Sequence, residues 1–318
     1  TSGNANNNNL KLKLILLLCS ILCCWCFIIH TVNSVATDTA TDDAAPPNRR
    51  FRPTRKVFDI VEKIGVGVLT GPESVVWDSQ GNTYTGISDG TIRMINATTG
   101  EITIYAYSVS NLSEEQRAKC GTSVTFESVC GRPLGLQFDR QENLLVADAY
   151  MGILNVSRHD PSNVTVIVDR YQDVRFKMVN SLYLTSDEST LYFTDSSQQY
   201  SRFEFVSIVV SNAPDSRLFK YDMATGALTV EISDLRFGNG IAVSRNEQFL
   251  LINECSARSI RKYFLKGVRA GENTVLVRDI GGYNDNIRPD GSGNFYVGLF
   301  SNTSDELSAI QAYPKLQA

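Results

Sequence analysis

Asn239-Gly-Ile-Ala-Val-Ser244, a polar turn, and then Phe249-Leu-Leu251 form the stretch whose reading decides the fold. An oxygen-bearing residue opens a short apolar strand, a turn follows, and a second apolar strand runs back. The same order recurs along the chain. Glu73-Ser-Val-Val-Trp-Asp78 leads to Thr83-Tyr-Thr85, and Leu134-Gly-Leu-Gln-Phe-Asp139 to Leu144-Leu-Val146. Asn180-Ser-Leu-Tyr-Leu-Thr185 leads to Leu191-Tyr-Phe193, and Asp285-Asn-Ile-Arg-Pro-Asp290 to Phe295-Tyr-Val297. Later strands such as Arg217-Leu-Phe-Lys-Tyr221 and Ile260-Arg-Lys-Tyr-Phe264 complete the units. A period of roughly 45–60 residues with about four strands per unit is that of a propeller blade. Five units begin, and the fifth stops soon after Phe300. The expected fold is all-β: a five-bladed ring is one reading, and the interrupted fifth unit argues instead for a six-bladed β-propeller truncated before its last blade, with bare strand edges where the ring is open.

The register makes Glu73, Leu134, Asn180, Asn239 and Asp285 equivalent, each opening the strand that lines the central channel of a propeller. Four of the five carry side-chain oxygen where an apolar residue would serve the packing. Two carboxylates and two amides at one repeat position suit a hard cation, because Ca²⁺ takes six to eight oxygen ligands of this kind. Asn286 stands ready to add another. The competing reading is a wet channel whose polar groups hold water and satisfy backbone.

The rest of the chain sets the compartment. Its 318 residues are 42% hydrophobic and 20% charged, with a net charge of -4, and no basic stripe points to nucleic acid. Leu14 to Ile29 is free of charge, His30-Thr-Val32 extends it, and Lys11 and Lys13 precede it. One reading is a signal anchor spanning a bilayer, with the lysines cytoplasmic and the body lumenal or extracellular, a single-pass type II membrane protein. The other is a signal peptide cut after Ser34-Val-Ala36, giving a secreted protein. Residues 1–32 are thus a tail and signal segment, 33–57 a linker rich in Asp, Pro and Arg, and 58–318 the propeller.

Four cysteines (Cys19, Cys23, Cys24 and Cys26) fall in the apolar segment. Cys120 and Cys130 flank a polar loop and are expected to pair in an oxidising compartment, leaving Cys255 as a buried thiol. Sequons at Asn96, Asn111, Asn155, Asn163 and Asn302 predict glycosylation. Of the two histidines, His30 lies in the apolar segment and His159 in a turn, so a Ser/His/Asp triad is not expected. A hydrolase built on these residues would rest on a cation for polarisation and on Asp285 or Glu73 as base.

Several motifs together resemble the strictosidine synthase-like family: Cys130-Gly-Arg-Pro-Leu-Gly-Leu136, Val146-Ala-Asp-Ala-Tyr150, Tyr192-Phe-Thr-Asp-Ser-Ser197, Arg217-Leu-Phe-Lys-Tyr-Asp222 and Asp285-Asn-Ile-Arg288. The resemblance covers about residues 58–310. It implies a six-bladed propeller related to paraoxonases and gluconolactonases, in which a Glu, two Asn and an Asp-Asn pair hold a central calcium. Glu73, Asn180, Asn239, Asp285 and Asn286 match that set one by one. The glutamate with which strictosidine synthase condenses an amine and an aldehyde belongs to the last blade, a region after Ala318, and is not assigned. The paraoxonase histidine falls at Leu134. The expectation is a calcium-dependent esterase or lactonase acting on a small ester. A non-enzymatic surface glycoprotein that binds partners through the propeller face is the alternative, and a condensing enzyme is less favoured.

Overall fold

The computed structural model describes residues 63–302 and the strand Ile28–Val32. Four antiparallel sheets of four strands follow one another, each in simple sequence order. Blade 1 is Val75–Trp77, Thr83–Gly86, Thr91–Ile95 and Ile102–Tyr107. Blade 2 is Pro133–Phe138, Leu144–Asp148, Gly152–Val156 and Val164–Val168. Blade 3 is Val179–Leu184, Thr190–Asp195, Ser216–Asp222 and Leu228–Leu235. Blade 4 is Gly238–Val243, Phe249–Glu254, Ser259–Phe264 and Asn273–Val277. A fifth sheet holds Gly282–Pro289 and Phe295–Asn302. The first strand of each blade packs on the first strand of the next, as blades around an axis do. The repeat read from the sequence is the blade repeat, with its first and second strands where they were expected.

The N-terminal expectation is modified. Ile28–Val32, read as the end of the apolar membrane segment, is a strand paired antiparallel with Phe295–Leu299. The open edge of Phe295–Asn302 presents unpaired backbone groups, and the β-branched run Ile28-Ile-His-Thr-Val32 suits them. Residues 14–27, the remainder of the expected anchor, lie outside the described residues. No helix among those described is long and apolar enough to cross a membrane.

The core lies between blades. Leu145, Ile153, Val179, Leu191, Phe193 and Phe219 join blades 2 and 3, and Leu218, Ile241, Leu250, Ile252 and Tyr263 join 3 and 4. Inner strands of blades 3 and 4 are buried almost throughout. That of blade 1 is not: Val75 is 38% and Trp77 63% exposed.

Two polar repeats fasten the turns. Asp78, Asp139 and Asp290 each accept the backbone and side-chain N–H groups of the asparagine four residues on, Asn82, Asn143 and Asn294. Between blades, Glu142, Glu188 and Glu247 accept the backbone N–H of Ser79, Arg140 and Ser186 in the preceding turn, at 2.9, 2.5 and 2.6 Å. All three glutamates sit in the left-handed region (φ 60°, 61° and 53°), an unusual place for a side-chain-bearing residue. The bond across to the neighbouring blade offsets that strain.

Glu247 also accepts from the Tyr183 hydroxyl at 3.0 Å. Replacing Glu247 by Ala keeps the strained backbone and removes both bonds. It should lower unfolding free energy by about 1.5–3 kcal/mol, read by denaturant titration, with Glu247→Gln losing less.

Candidate functional site

Each candidate residue of blades 2 to 5 sits in a β-bulge. The register between first and second strands slips between Pro133 and Gly135, Val179 and Leu182, Gly238 and Ile241, and Asn284 and Ile287. Leu134, Asn180, Asn239, Asp285 and Asn286 occupy those slips. A bulge withdraws its residue from the ladder and re-aims the side chain, here toward the axis.

The freed carbonyls are caught by the preceding blade. The Thr194 hydroxyl donates to Asn239 O at 2.9 Å, and the Asn253 amide to Asp285 O at 2.7 Å. Ser74 N–H donates to Leu134 O at 3.2 Å. Glycine makes the approach possible. A Cβ on Gly240 would lie 2.7 Å from Asn286 Cα and 2.8 Å from Asp285 O, closer than side chains tolerate. A Cβ on Gly135 would lie 2.8 Å from Asn180 O.

The structure brings Glu73, Asn239, Asp285 and Asn286 together and sets Asn180 in the equivalent bulge of blade 3. Asn286 donates its amide to Glu73 Oε2 at 2.9 Å, joining the fifth sheet to blade 1 across 213 residues of sequence. Asn239 hydrogen-bonds the Asp285 carboxylate. Asn180 and Asn239 are each only 3% exposed, and the Oδ1 of each has no hydrogen-bond partner among the described residues. Asn253 and Asn284 share that lack of an Oδ1 partner, but their amide groups brace Asp285 O and Ser259 O.

Burial pushes both carboxyls above their ordinary range. For Glu73 it outweighs the Asn286 amide and the charges of Arg132, Arg202 and Arg288. For Asp285 burial leads, the Glu73 carboxylate adds to it, and the Asn239 amide opposes, leaving the group at about 7. Two half-buried carboxyls and two buried amide oxygens without partners form a set of hard oxygen donors. The set fits calcium. No three His, Cys, Asp or Glu residues gather in a metal-holding cluster among the described residues, so the site depends on amide oxygen.

Comparison with known proteins gives the family and the fold. The family model for strictosidine synthase matches residues 180–268, and that for the strictosidine synthase-like N-terminal region matches 59–95. Strictosidine synthase-like 10 of Arabidopsis thaliana is 33% identical over 83% of the chain and 70% of its own length. The chain belongs to the strictosidine synthase-like family. Strictosidine synthase-like 3 of the same plant is 34% identical over 78% of the chain, and human adipocyte plasma membrane-associated protein 33% over 80%. The chain spans 64% and 57% of the lengths of these two relatives. Among solved structures, a gluconolactonase from Xanthomonas campestris aligns with a TM-score of 0.55 at 15% identity, covering 73% of this chain and 70% of its own. A calcium-binding protein, regucalcin from Agrobacterium tumefaciens, aligns at 0.52 and 13%, covering 72% and 67%. These likenesses establish the propeller fold.

Other expectations also find their places. Cys120 and Cys130 form the disulfide, their Cα atoms 5.7 Å apart, and Cys255 is free and buried. His159 is exposed in its turn. Asn111 and Asn163 are exposed, whereas Asn96 is half-buried, its Oδ1 accepting from Thr98 and Thr99. Asn155 lies inside a strand between Leu145 and Thr165. The side chain of Asn302 lies outside the described residues.

Sequence reasoning missed the arginines around the acids and the purpose of the motif carboxylates. Asp148, Asp195 and Glu254 are buried at equivalent strand ends. Each accepts the N–H of a residue just before its own inner strand, Arg132, Met178 and Arg236. They hold blades rather than ligands. Their repeat spacing was the available signal.

Two outcomes test the site. Gly240→Ala should lower both stability and calcium affinity, measured by thermal unfolding with and without the ion, because its Cβ meets the Asp285–Asn286 backbone. The second concerns pH. With its carboxyl raised, folded metal-free protein binds more protons than unfolded chain between about pH 4 and 7. Asp285 therefore costs stability as pH rises through that window. The stability advantage of Asp285→Asn over the wild type should grow from pH 4 to 7 and then level, and saturating calcium should abolish it.

Proposed function

We propose that this channel holds a divalent cation, calcium by its donor set, and that the domain is a hydrolase of small esters or lactones bound at the channel mouth. The observation that carries the reading is the buried, partnerless Oδ1 of Asn239 at the raised carboxyls of Asp285 and Glu73, with that of Asn180 at the same repeat position. The printed names of the structural neighbours, a gluconolactonase and a calcium-binding regucalcin, support it. When bound, the cation would polarise a substrate carbonyl and stabilise the oxyanion.

The chain supplies the rest. Asn286 orients the Glu73 carboxylate, and Asn239 orients that of Asp285. Asp285 or Glu73, held ionised beside the cation, would act as general base on water. Leu134, Met178, Ile208, Phe237 and Tyr283 form an apolar cluster, and Leu134 lies at the site's own repeat position, suited to the organic body of a ligand.

Six blades complete the proposal: the exposed inner strand of blade 1 suits a further blade against Val75 and Trp77. A signal segment ending before Ile28 and glycans at Asn111 and Asn163 belong to the same reading, with the propeller in the lumen or outside the cell. The apolar Leu134, set where a histidine base would stand, favours the second reading, a glycoprotein that binds partners without turnover.

Hydrolysis of phenyl acetate and of a γ-lactone, with calcium and with chelator, separates the two. Activity should need calcium and vanish in Asp285→Ala. Calcium should raise the wild-type melting temperature by mass action. Asn180→Ala should weaken calcium binding by more than the roughly 10- to 100-fold that loss of an outer-shell partner costs. A calcium-dependent melting shift with no turnover of any ester would move the assignment to the binding protein.

A further inference from the structure

The segment between the second and third strands of blade 3 crosses toward the channel. It carries Arg202 and the helix Phe205–Ser211, whose Ile208 and Val209 pack into the same apolar cluster as Leu134. A continuous polar path ties this segment to the site. Tyr150 accepts the Phe203 N–H at 3.0 Å and donates to Glu127 at 3.4 Å. Glu127 lies 3.6 Å from the Arg132 guanidinium, which donates to Gly71 O at 2.7 Å, two residues before Glu73.

Arg202 is the anomaly in this path. It is half-buried, and its guanidinium lies over the Phe205 ring at 5.1 Å. Among the described residues it has no ion pair and no side-chain hydrogen bond. Its acidic neighbour Glu204 is turned away, accepting from the backbone and hydroxyl of Ser201. Arg132, by contrast, has Glu127 beside it, and Arg288 donates to Ser74 Oγ. Arg202 nonetheless lies within Coulombic range of Glu73, Asp285 and Arg132. A guanidinium with its planar fork unused, stacked on an aromatic ring above an apolar cluster, is arranged to take a carboxylate in two parallel bonds.

We propose that Arg202 is a ligand-binding residue that selects molecules carrying a carboxylate on an apolar body, held at the channel mouth between Phe205 and the site acids. The inference rests on the proposed channel site and narrows its ligand class. With a divalent ion in the proposed site balancing Glu73 and Asp285, the guanidinium of Arg202 has no acid of the protein left to pair with and is free to take an anion.

The test uses two independent readouts on the full chain with calcium present. The first is binding of phenylacetate against neutral phenylacetamide by calorimetry. The second is kcat/KM for mono-4-nitrophenyl succinate, which carries a carboxylate, against 4-nitrophenyl butyrate, which does not. Wild type should bind phenylacetate at least about tenfold more tightly than the amide, and Arg202→Gln should erase that preference, a loss of about 10- to 100-fold. Arg202→Lys should restore part of it. An unchanged calcium-induced melting shift in both variants shows that the fold and the cation site are intact. Phenylacetate binding equal in wild type and Arg202→Gln overturns the proposal, because the carboxylate is then held elsewhere. Equal turnover of both esters by wild type overturns it too, while leaving the hydrolase intact. Arg202-dependent phenylacetate binding with no turnover of either ester supports it and removes the hydrolase.

Discussion

The close approach of one inner strand to the next, around the axis, is the constraint on which the rest of this structure depends. Side chains cannot be interposed there, so Gly135 and Gly240 stand where a Cβ would strike the neighbouring backbone. Carbonyls freed by the bulges would be buried without partners, so Thr194 and Asn253 reach across from the preceding blade to bond them. With the backbone satisfied in this way, the side chains at the bulges need not serve it. Their oxygen atoms remain for the channel.

That arrangement explains why the same residues look costly as structure. Asn180 and Asn239 keep buried oxygens without partners, and Glu73 and Asp285 keep carboxyls that burial makes reluctant to ionise. Unpaired buried oxygen destabilises a fold, so each such group calls for a reason, among them a water or an ion that completes its bonding. The contrast with the other buried acids is direct. Asp148, Asp195 and Glu254 are more deeply buried, and each is met by backbone N–H groups, the latter two also by Arg217 and Arg261. Burial is common to both sets; what differs is whether the protein itself supplies the partner.

The outer turns show the same economy of position. Glu142, Glu188 and Glu247 accept a strained left-handed backbone, and each reaches the turn of the blade before it. Blade 1 and the fifth sheet have Gly81 and Gly293 at the matching place, with positive φ and no side chain to reach across. The clasps thus run between the four complete blades, while the inner strand of blade 1 keeps one face open.

Much was legible without coordinates, because a propeller is a local repeat. Strand, turn and strand recur in the order of the chain, so aligning the turns was enough to set Glu73, Asn180, Asn239 and Asp285 at one position. The Cys120–Cys130 pair was legible for the same reason of short range. The sequence could not say which carboxylates would be satisfied. Asp148 and Asp285 look alike in a strand, and only the packing of neighbouring blades gives one three N–H donors and leaves the other facing Glu73. It could not place Arg202 near the acids either, since a residue of blade 3 meets Glu73 of blade 1 only once the sheets are wound around the axis. Repeat register is a property of the chain; convergence on the channel is a property of the ring.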